Sequence, residues 1–123
     1  MSLFNFGEFT LHSGRTDNFK IDCDALTAAD WGALAWEVVT QIAFEFSHVE
    51  SVPRGGLKFA DALRKHAIPE VDQLLIVDDV LTTGTSMEDQ RAGRDAIGIV
   101  VFARGRCPDW VTPVFTMKRG QDV

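Results

Sequence analysis

The stretch LLIVDDVLTTGTS, residues 74–86, is the part of the sequence that decides the fold. Its first four residues, 74–77, are apolar without helical spacing, which predicts a strand buried on both faces of a parallel sheet. Two acids, Asp78 and Asp79, follow at the point where we expect this strand to leave the sheet. Small hydroxyl residues around Gly84 then predict a loop, and residues 86–91 are typical of the first turns of a helix.

The residues after this strand have the chemistry of a sugar-phosphate site. The loop offers backbone N–H groups, hydroxyls and a helix N-terminus, which together bind phosphate. A ligand that presents hydroxyls to the acids and phosphate to the loop explains why both are adjacent, with Mg²⁺ offsetting the negative charge. The alternative is an ordinary strand-turn-helix with a solvated acidic pair. A Walker P-loop is excluded because the chain has no G-x-x-x-x-G-K-[ST] segment.

Residues 74–86 also resemble a known signature, that of the type I phosphoribosyltransferases for phosphoribosyl pyrophosphate (PRPP). The resemblance implies that Asp78 and Asp79 are catalytic: they contact the ribose hydroxyls, reach Mg²⁺ indirectly through those hydroxyls or water, and one stabilises the cationic ribosyl centre. It further implies that the 5′-phosphate is bound by a set of loop residues, namely Thr82, Thr83, Gly84, Thr85 and Ser86.

The first part of the chain predicts a β-hairpin, because apolar residues alternate around residues 9–11 and again around 19–21, with turn residues between. This hairpin is either structural only or part of a ligand site. Its Phe-x-Leu-x-Ser-Gly-Arg segment, residues 9–15, resembles the N-terminal motif of orotate phosphoribosyltransferases, where it forms a hood over the pyrimidine. The resemblance makes Phe19, Lys20 and Ile21 candidates for contacting a base.

Two further base-binding candidates rest on single positions. His12 occupies the place of a lysine in the orotate enzymes, and a histidine is largely neutral at pH 7, so the identity of the base stays open. Arg104, which follows the predicted strand 96–103, matches an arginine that binds the orotate carboxylate in that family, although the preceding family Asp is Ala103 here. For each of these two residues, an ordinary surface side chain is as good an interpretation as a base-binding role.

A second anion-binding loop is predicted at residues 52–56, which read VPRGG and precede a predicted helix over 57–66. Adjacent glycines let backbone N–H groups approach an anion, and an arginine adds a donor fork. The segment resembles the pyrophosphate loop of the same family, which implies that Arg54, Gly55 and Gly56 bind pyrophosphate. A simple turn from strand to helix is the alternative.

The long basic loop that closes over the site in orotate phosphoribosyltransferases has no counterpart of similar length here. Only residues 63–73 separate the helix after the pyrophosphate loop from the strand at 74–77. Residues 64–66, Arg-Lys-His, are either a remnant of the basic loop or the usual cations at a helix C-terminus. Because a closing lid excludes water and neutralises the leaving pyrophosphate, we expect slow turnover or a lid supplied by a partner.

Composition limits the remaining function classes. The chain has 123 residues, a net charge of −6 and a pI near 4.9, which predict one domain and argue against a nucleic-acid partner. No signal-like N-terminus or membrane-length apolar run appears, so we expect a cytoplasmic protein without membrane contact. Cys23 and Cys107 show no metal or disulfide pattern and are expected to be reduced bystanders.

Alternation of strands and helices predicts a small α/β domain, with a mostly parallel sheet flanked by helices. One helix begins at Thr27, with Asp30 completing a capping box, and its apolar stripe runs from Trp31 to Phe46. A last edge strand is expected over residues 113–117. We expect one phosphoribosyltransferase-like domain over residues 1–123, with a reduced hood-like hairpin at residues 1–24 and a PRPP-binding core at residues 25–117.

Two functional hypotheses follow. The first is a shortened, dimeric orotate phosphoribosyltransferase-like enzyme of pyrimidine nucleotide biosynthesis, which uses PRPP, Mg²⁺ and a nitrogenous base to make a nucleoside monophosphate and pyrophosphate. The second keeps the ligand and drops the chemistry, as a PRPP or nucleotide sensor or as a subunit completed by another protein. The first is the leading hypothesis, and the missing lid and the His12 replacement motivate the second.

Overall fold

The chain alternates between strands and helices. The computed structural model describes residues 4–10, 16–42 and 44–117. Its strands are β1 (Phe4–Thr10), β2 (Thr16–Ile21), β3 (His48–Ser51), β4 (Leu74–Leu81), β5 (Ile97–Ala103) and β6 (Val111–Thr116). Its α-helices are α1 (Ala28–Glu37), α2 (Leu57–Arg64) and α3 (Thr85–Arg91). A short 3₁₀ turn, Cys23–Ala25, precedes α1, and a π-helical turn, Val38–Ile42, follows it.

The strands form two separate sheets. Strands β3, β4, β5 and β6 lie side by side in that order, and every neighbouring pair is parallel. Strands β1 and β2 form an antiparallel pair of their own, which confirms the predicted hairpin. The predicted small α/β domain is therefore confirmed, with a parallel sheet whose strands all end at one edge. Among the described residues, no helix is long and apolar enough to cross a membrane.

Strand β4 lies inside the sheet and separates two apolar clusters. Leu75 and Val77 pack with α1 and α2 on one face, whereas Ile76 packs with Met87 of α3 on the other. All three β4 side chains are fully buried, which confirms that this apolar run is covered on both faces. Helix α2 connects β3 to β4 on one face of the sheet, where α1 packs as well, and α3 connects β4 to β5 on the opposite face.

The helix predicted from Thr27 begins there but ends earlier than its apolar stripe predicts. Thr27 and Asp30 exchange side-chain to backbone hydrogen bonds of 3.2 and 2.8 Å, which form the predicted capping box. The α-helix ends at Glu37, and the wider π-helical turn at Val38–Ile42 interrupts the regular spacing. Phe46 is buried in the same core although it lies beyond the helix, so the prediction of its burial is correct and the prediction of helix length is wrong.

We expect Thr27→Ala to lower the free energy of unfolding by about 1 kcal/mol, because it leaves the Asp30 backbone N–H without its side-chain acceptor. Thr27→Ser retains the hydroxyl and serves as the matched control. Urea denaturation of the two variants and the parent chain checks this. Equal stabilities of the alanine and serine variants would show that the hydrogen bond to the Thr27 hydroxyl contributes nothing.

Candidate functional site

The acidic pair lies where β4 loses one of its two neighbours. Pairing with β3 ends at Ser51 and Val77, whereas pairing with β5 continues to Leu81 and Ala103. The expectation that the strand leaves the sheet at the acids is therefore correct on the β3 side and wrong on the β5 side. The open position beside β3 exposes the carboxyl-end edge to other segments, which is where ligands bind in open parallel sheets.

The backbone of β4 is irregular at the acids. Val77 and Val80 pack into the same apolar cluster although they are three positions apart, so the alternation of faces breaks between them. The Asp79 backbone N–H donates to Oδ1 of Asp78 at 2.8 Å, and the Val80 N–H donates to Oδ1 of Asp79 at 2.7 Å. Each carboxylate is thus oriented by the N–H of the residue that follows it.

Asp78 is the more buried of the two acids, with 7% of its surface exposed. Burial, followed by the hydrogen bond and negative charge of Asp79, raises the pKa of Asp78 to about 8. Asp78 therefore holds its proton to a higher pH than an exposed aspartate does. A proton on Asp78 relieves the repulsion that would otherwise arise between its buried carboxyl group and the half-buried carboxylate of Asp79.

The glycine pair of the predicted pyrophosphate loop lies against these acids. A Cβ atom on Gly55 would overlap the Asp79 carboxylate, and one on Gly56 would lie 2.8 Å from the Val77 carbonyl oxygen and 3.1 Å from the Asp78 Cα. Only glycine allows backbone this close at both positions. The structure therefore brings together two motifs that are separated in the sequence, with Arg54 exposed beside them.

The predicted phosphate loop continues directly from β4. Gly84 has a φ of +88°, in the left-handed region, and α3 begins at the next residue. Its Thr83 and Thr85 hydroxyl oxygens are 3.1 Å apart, and the Thr85 backbone N–H donates to Thr83 Oγ1 at 3.4 Å. Thr85 and Ser86 are exposed. The loop therefore presents hydroxyls and the first N–H groups of a helix at the same edge as the acids.

A third segment reaches this edge from β5. The Arg104 backbone N–H donates to the Leu81 carbonyl oxygen at 2.8 Å, and a Cβ on Gly105 would overlap the Thr82 carbonyl oxygen. The Arg104 side chain is buried, with 9% of its surface exposed. Arg104 therefore lies close in space to the phosphate loop, although the two are far apart in sequence.

The other predicted base-binding residues belong to the hairpin. Phe19 and Lys20 lie in β2, opposite Phe6 and Asn5 of β1, and their side chains lie outside the described part of the structure. His12 lies outside the described residues altogether. The assignment of these three residues to the base thus stays a prediction.

The cysteine pattern of the sequence predicts that Cys23 is a bystander, and sequence reasoning missed where this residue lies. The thiol is free and buried just after β2. Burial, then the negative charges of Asp79 and Asp22, raises the pKa of Cys23, so the thiol is protonated and unreactive at neutral pH. No sequence pattern signals this burial, because it depends on how segments that are distant in the sequence pack together.

The two acids at this edge have the chemistry that Mg²⁺ prefers. Carboxylate oxygens suit this ion, which is commonly held by one or two carboxylates together with substrate phosphates and water. Within the described residues, no group of three or more acidic, histidine or cysteine side chains forms a metal cluster. Asp78 and Asp79 would reach Mg²⁺ indirectly, through the hydroxyls of a bound ligand or through water.

The connection from α2 to β4 is short and fixed to the sheet. It spans residues 65–73, and the Ile68 N–H donates to the Phe46 carbonyl oxygen at 2.7 Å. At its end, the Ser47 N–H donates to the Gln73 carbonyl oxygen at 2.9 Å. These bonds hold the connection beside β3, and Arg64 pairs with Asp61 on α2.

Alanine substitutions of the glycine pair should have different effects on stability. Gly56→Ala places a methyl group against the backbone at Val77 and should lower the free energy of unfolding by about 1–3 kcal/mol. Gly55→Ala should cost less, because the Asp79 side chain can rotate away. Gly32→Ala in α1, where no atom lies within 4 Å, should raise stability by about 0.5–1 kcal/mol. Urea denaturation checks all three, and equal losses for Gly55→Ala and Gly56→Ala would show that the Asp79 side chain yields no more easily than backbone.

Asp78 should make stability depend on pH. Between about pH 4 and pH 8 the folded protein keeps a proton on Asp78, whereas the unfolded chain, with a pKa near 3.8, releases it. Rising pH therefore destabilises the parent chain relative to Asp78→Asn, and the difference should stop changing above about pH 8. Urea denaturation across this range measures it. A difference in unfolding free energy that is constant with pH would refute the raised pKa.

No protein-family model and no curated protein sequence matches the chain. Solved structures do match. The orotate phosphoribosyltransferase from Aeropyrum pernix has a TM-score of 0.71 and 24% identity, over 94% of this chain and 88% of that chain. The enzyme from Francisella tularensis has a TM-score of 0.60 and 17% identity, over 93% and 80%. The Mycobacterium tuberculosis H37Rv enzyme in complex with inorganic phosphate has a TM-score of 0.57 and 20% identity, over 91% and 87%.

These matches extend over nearly the whole chain, and they agree with its parallel sheet and flanking helices. The chain therefore has the type I phosphoribosyltransferase fold, and in structure it resembles the orotate phosphoribosyltransferases.

Proposed function

We propose that this protein is a phosphoribosyltransferase that transfers the ribose 5-phosphate group of PRPP to a nitrogenous base, with orotate as the first candidate. The observation that carries the proposal is the close approach of Gly55 and Gly56 to Asp78 and Asp79. It joins the predicted pyrophosphate loop to the predicted ribose site, and the phosphate loop extends from the same strand. This arrangement matches a ligand with phosphate groups at both ends of a ribose.

Each segment has a separate role in this proposal. Arg54 and the backbone of Gly55 and Gly56 bind the pyrophosphate end. Asp78 and Asp79 bind the ribose hydroxyls. The 5′-phosphate is bound by the loop residues named above, Thr82, Thr83, Gly84, Thr85 and Ser86. The similar Mycobacterium tuberculosis structure is a complex with inorganic phosphate, which supports phosphate binding by this fold.

The reaction breaks the bond between the ribose C1 and the pyrophosphate oxygen, and it forms a bond from C1 to a base nitrogen, which loses its proton. Positive charge develops on the ribose ring as the first bond breaks, and a carboxylate at Asp78 or Asp79 stabilises that charge. Bound Mg²⁺ would neutralise part of the pyrophosphate charge. Arg54 contributes a further cation at the leaving group.

The base is assigned to the side of the site formed by the hairpin and the end of β5. Arg104 suits an anionic base such as orotate, and Phe19, Lys20 and His12 complete this assignment. In the same proposal, residues 1–24 form a hood over the residues 25–117 core, and the enzyme is a homodimer.

A second function is favoured by one observation. The α2–β4 connection, residues 65–73, is short and hydrogen-bonded beside β3, so this part of the described chain supplies no long closing loop. A site open to water is poor at transferring a reactive ribosyl group. A PRPP or nucleotide sensor, or a subunit completed by a partner, needs the ligand site without the closure.

The first experiment mixes the purified protein with Mg²⁺, PRPP and separate bases, namely orotate, uracil and the purines, and follows new nucleotide by chromatography. Calorimetry with PRPP and Mg²⁺ runs alongside. A nucleotide formed with one base supports the transferase and identifies its acceptor. PRPP binding without product supports the sensor, and absence of PRPP binding contradicts both the transferase and a PRPP sensor.

The double substitution Asp78→Asn, Asp79→Asn should abolish PRPP binding while the chain stays folded, because it removes both ribose-binding carboxylates. Its control is Glu70→Gln, Asp72→Asn, which replaces two carboxylates at exposed positions in the α2–β4 connection. Circular dichroism verifies folding of both variants. Retained PRPP affinity in the Asp78, Asp79 variant would refute the assigned site.

A further inference from the structure

The loop between β5 and β6, residues 104–110, packs against the phosphate loop at two places. A Cβ on Gly105 would overlap the Thr82 carbonyl oxygen, so the two backbones are in direct contact there. At Gly84, a Cβ would lie 3.4 Å from Cγ of Pro108, which is ordinary van der Waals contact. The β5–β6 loop therefore covers one side of the phosphate loop.

A third contact links this loop to the first turn of α3. The indole N–H of Trp110 donates to Oε1 of Glu88 at 2.6 Å, and Arg91 donates to Oε2 of the same carboxylate at 2.7 Å. The Glu88 backbone N–H donates to the Gly84 carbonyl oxygen at 3.0 Å. Glu88 thus connects the indole to the residue at which the phosphate loop turns into the helix.

Trp110 is itself held firmly against the sheet. A Cβ on Gly98 of β5 would come within 2.8 Å of the Trp110 ring, so the indole occupies the space that this glycine leaves. The Gly98 N–H donates to the Trp110 carbonyl oxygen at 2.8 Å, and the Arg91 guanidinium carbon lies 4.6 Å from the centre of the indole ring. The position of the indole is therefore set by strand β5.

We propose that Trp110 is a positioning residue, which holds the phosphate loop in its binding shape through the Glu88 carboxylate. The contacts run without a gap from Gly98 to Trp110, from Trp110 to Glu88, and from Glu88 to Gly84. This inference rests on the proposed function, because it assigns to the loop the 5′-phosphate end of PRPP. A charged carboxylate makes the stronger kind of hydrogen bond to the indole, and a strong bond limits movement of the loop.

The far end of α3 has a different attachment, which provides a control. Arg94, just beyond the helix, donates two hydrogen bonds to the Glu50 carboxylate, of 2.8 and 2.7 Å, and Gln90 donates a third at 2.9 Å. Glu50 belongs to β3, so these bonds fix the end of α3 that lies away from the phosphate loop. Breaking them should affect stability without changing the loop.

The test measures binding of PRPP with Mg²⁺, and of ribose 5-phosphate alone, by calorimetry well below the unfolding temperature. Trp110→Phe keeps an aromatic ring but removes the N–H donor, and it should weaken both ligands about tenfold. Glu88→Leu removes the acceptor but keeps the indole, and it should weaken the binding of both ligands by a similar factor. Glu88→Gln, which retains an oxygen acceptor, should restore most of the affinity. Arg94→Gln should lower the unfolding temperature and leave both affinities unchanged.

The outcomes separate this inference from the proposed function. If the parent chain binds PRPP and both Trp110→Phe and Glu88→Leu bind it as tightly, the positioning role is overturned while the proposed function stands. If Arg94→Gln weakens binding as much as Trp110→Phe, the effect is general destabilisation, and the positioning role is again overturned. If the parent chain binds neither ligand, the proposed function is wrong, and this inference, which rests on it, is wrong as well.

Discussion

The structure depends on a contact between two backbones at the point where β3 stops pairing with β4. Gly55 and Gly56 fill the position that a longer β3 would occupy, and they leave no room for a side chain between themselves and the acids. The Asp78 and Asp79 carboxylates each also accept a hydrogen bond from a backbone N–H group, which orients them at this edge. The remaining strands of the sheet support this main chain and so hold these atoms in position.

The electrostatics of this edge reconcile an acidic chain with the anionic ligand that we propose. The net charge of −6 would repel a phosphate ester from the protein as a whole. Locally, the pKa of Asp78 is raised, which lowers its negative charge, and Glu88 is neutralised by Arg91. The N–H groups and hydroxyls of the phosphate loop therefore face a less negative environment than the composition indicates.

The sequence predicted those parts of the fold whose physical cause lies within a few neighbouring residues. The apolar run before Asp78, the capping box at Thr27 and the glycine pair each have a mechanism within a few residues, and the structure contains all three. The early end of α1 and the burial of Cys23 were not predictable, because they depend on packing between distant segments. The link from Trp110 to Glu88 likewise exists only because Gly98 leaves space beneath the indole.

The two apolar clusters have a consequence for how this protein tolerates sequence change. One contains Phe59 and Leu63 of α2, the other contains Met87 of α3, and the backbone of the sheet stands between them. Side chains on opposite faces share no packing partners, so their substitutions should add with little coupling. Substitutions could then accumulate in one cluster independently of the other, as long as both clusters keep the strand ends in position.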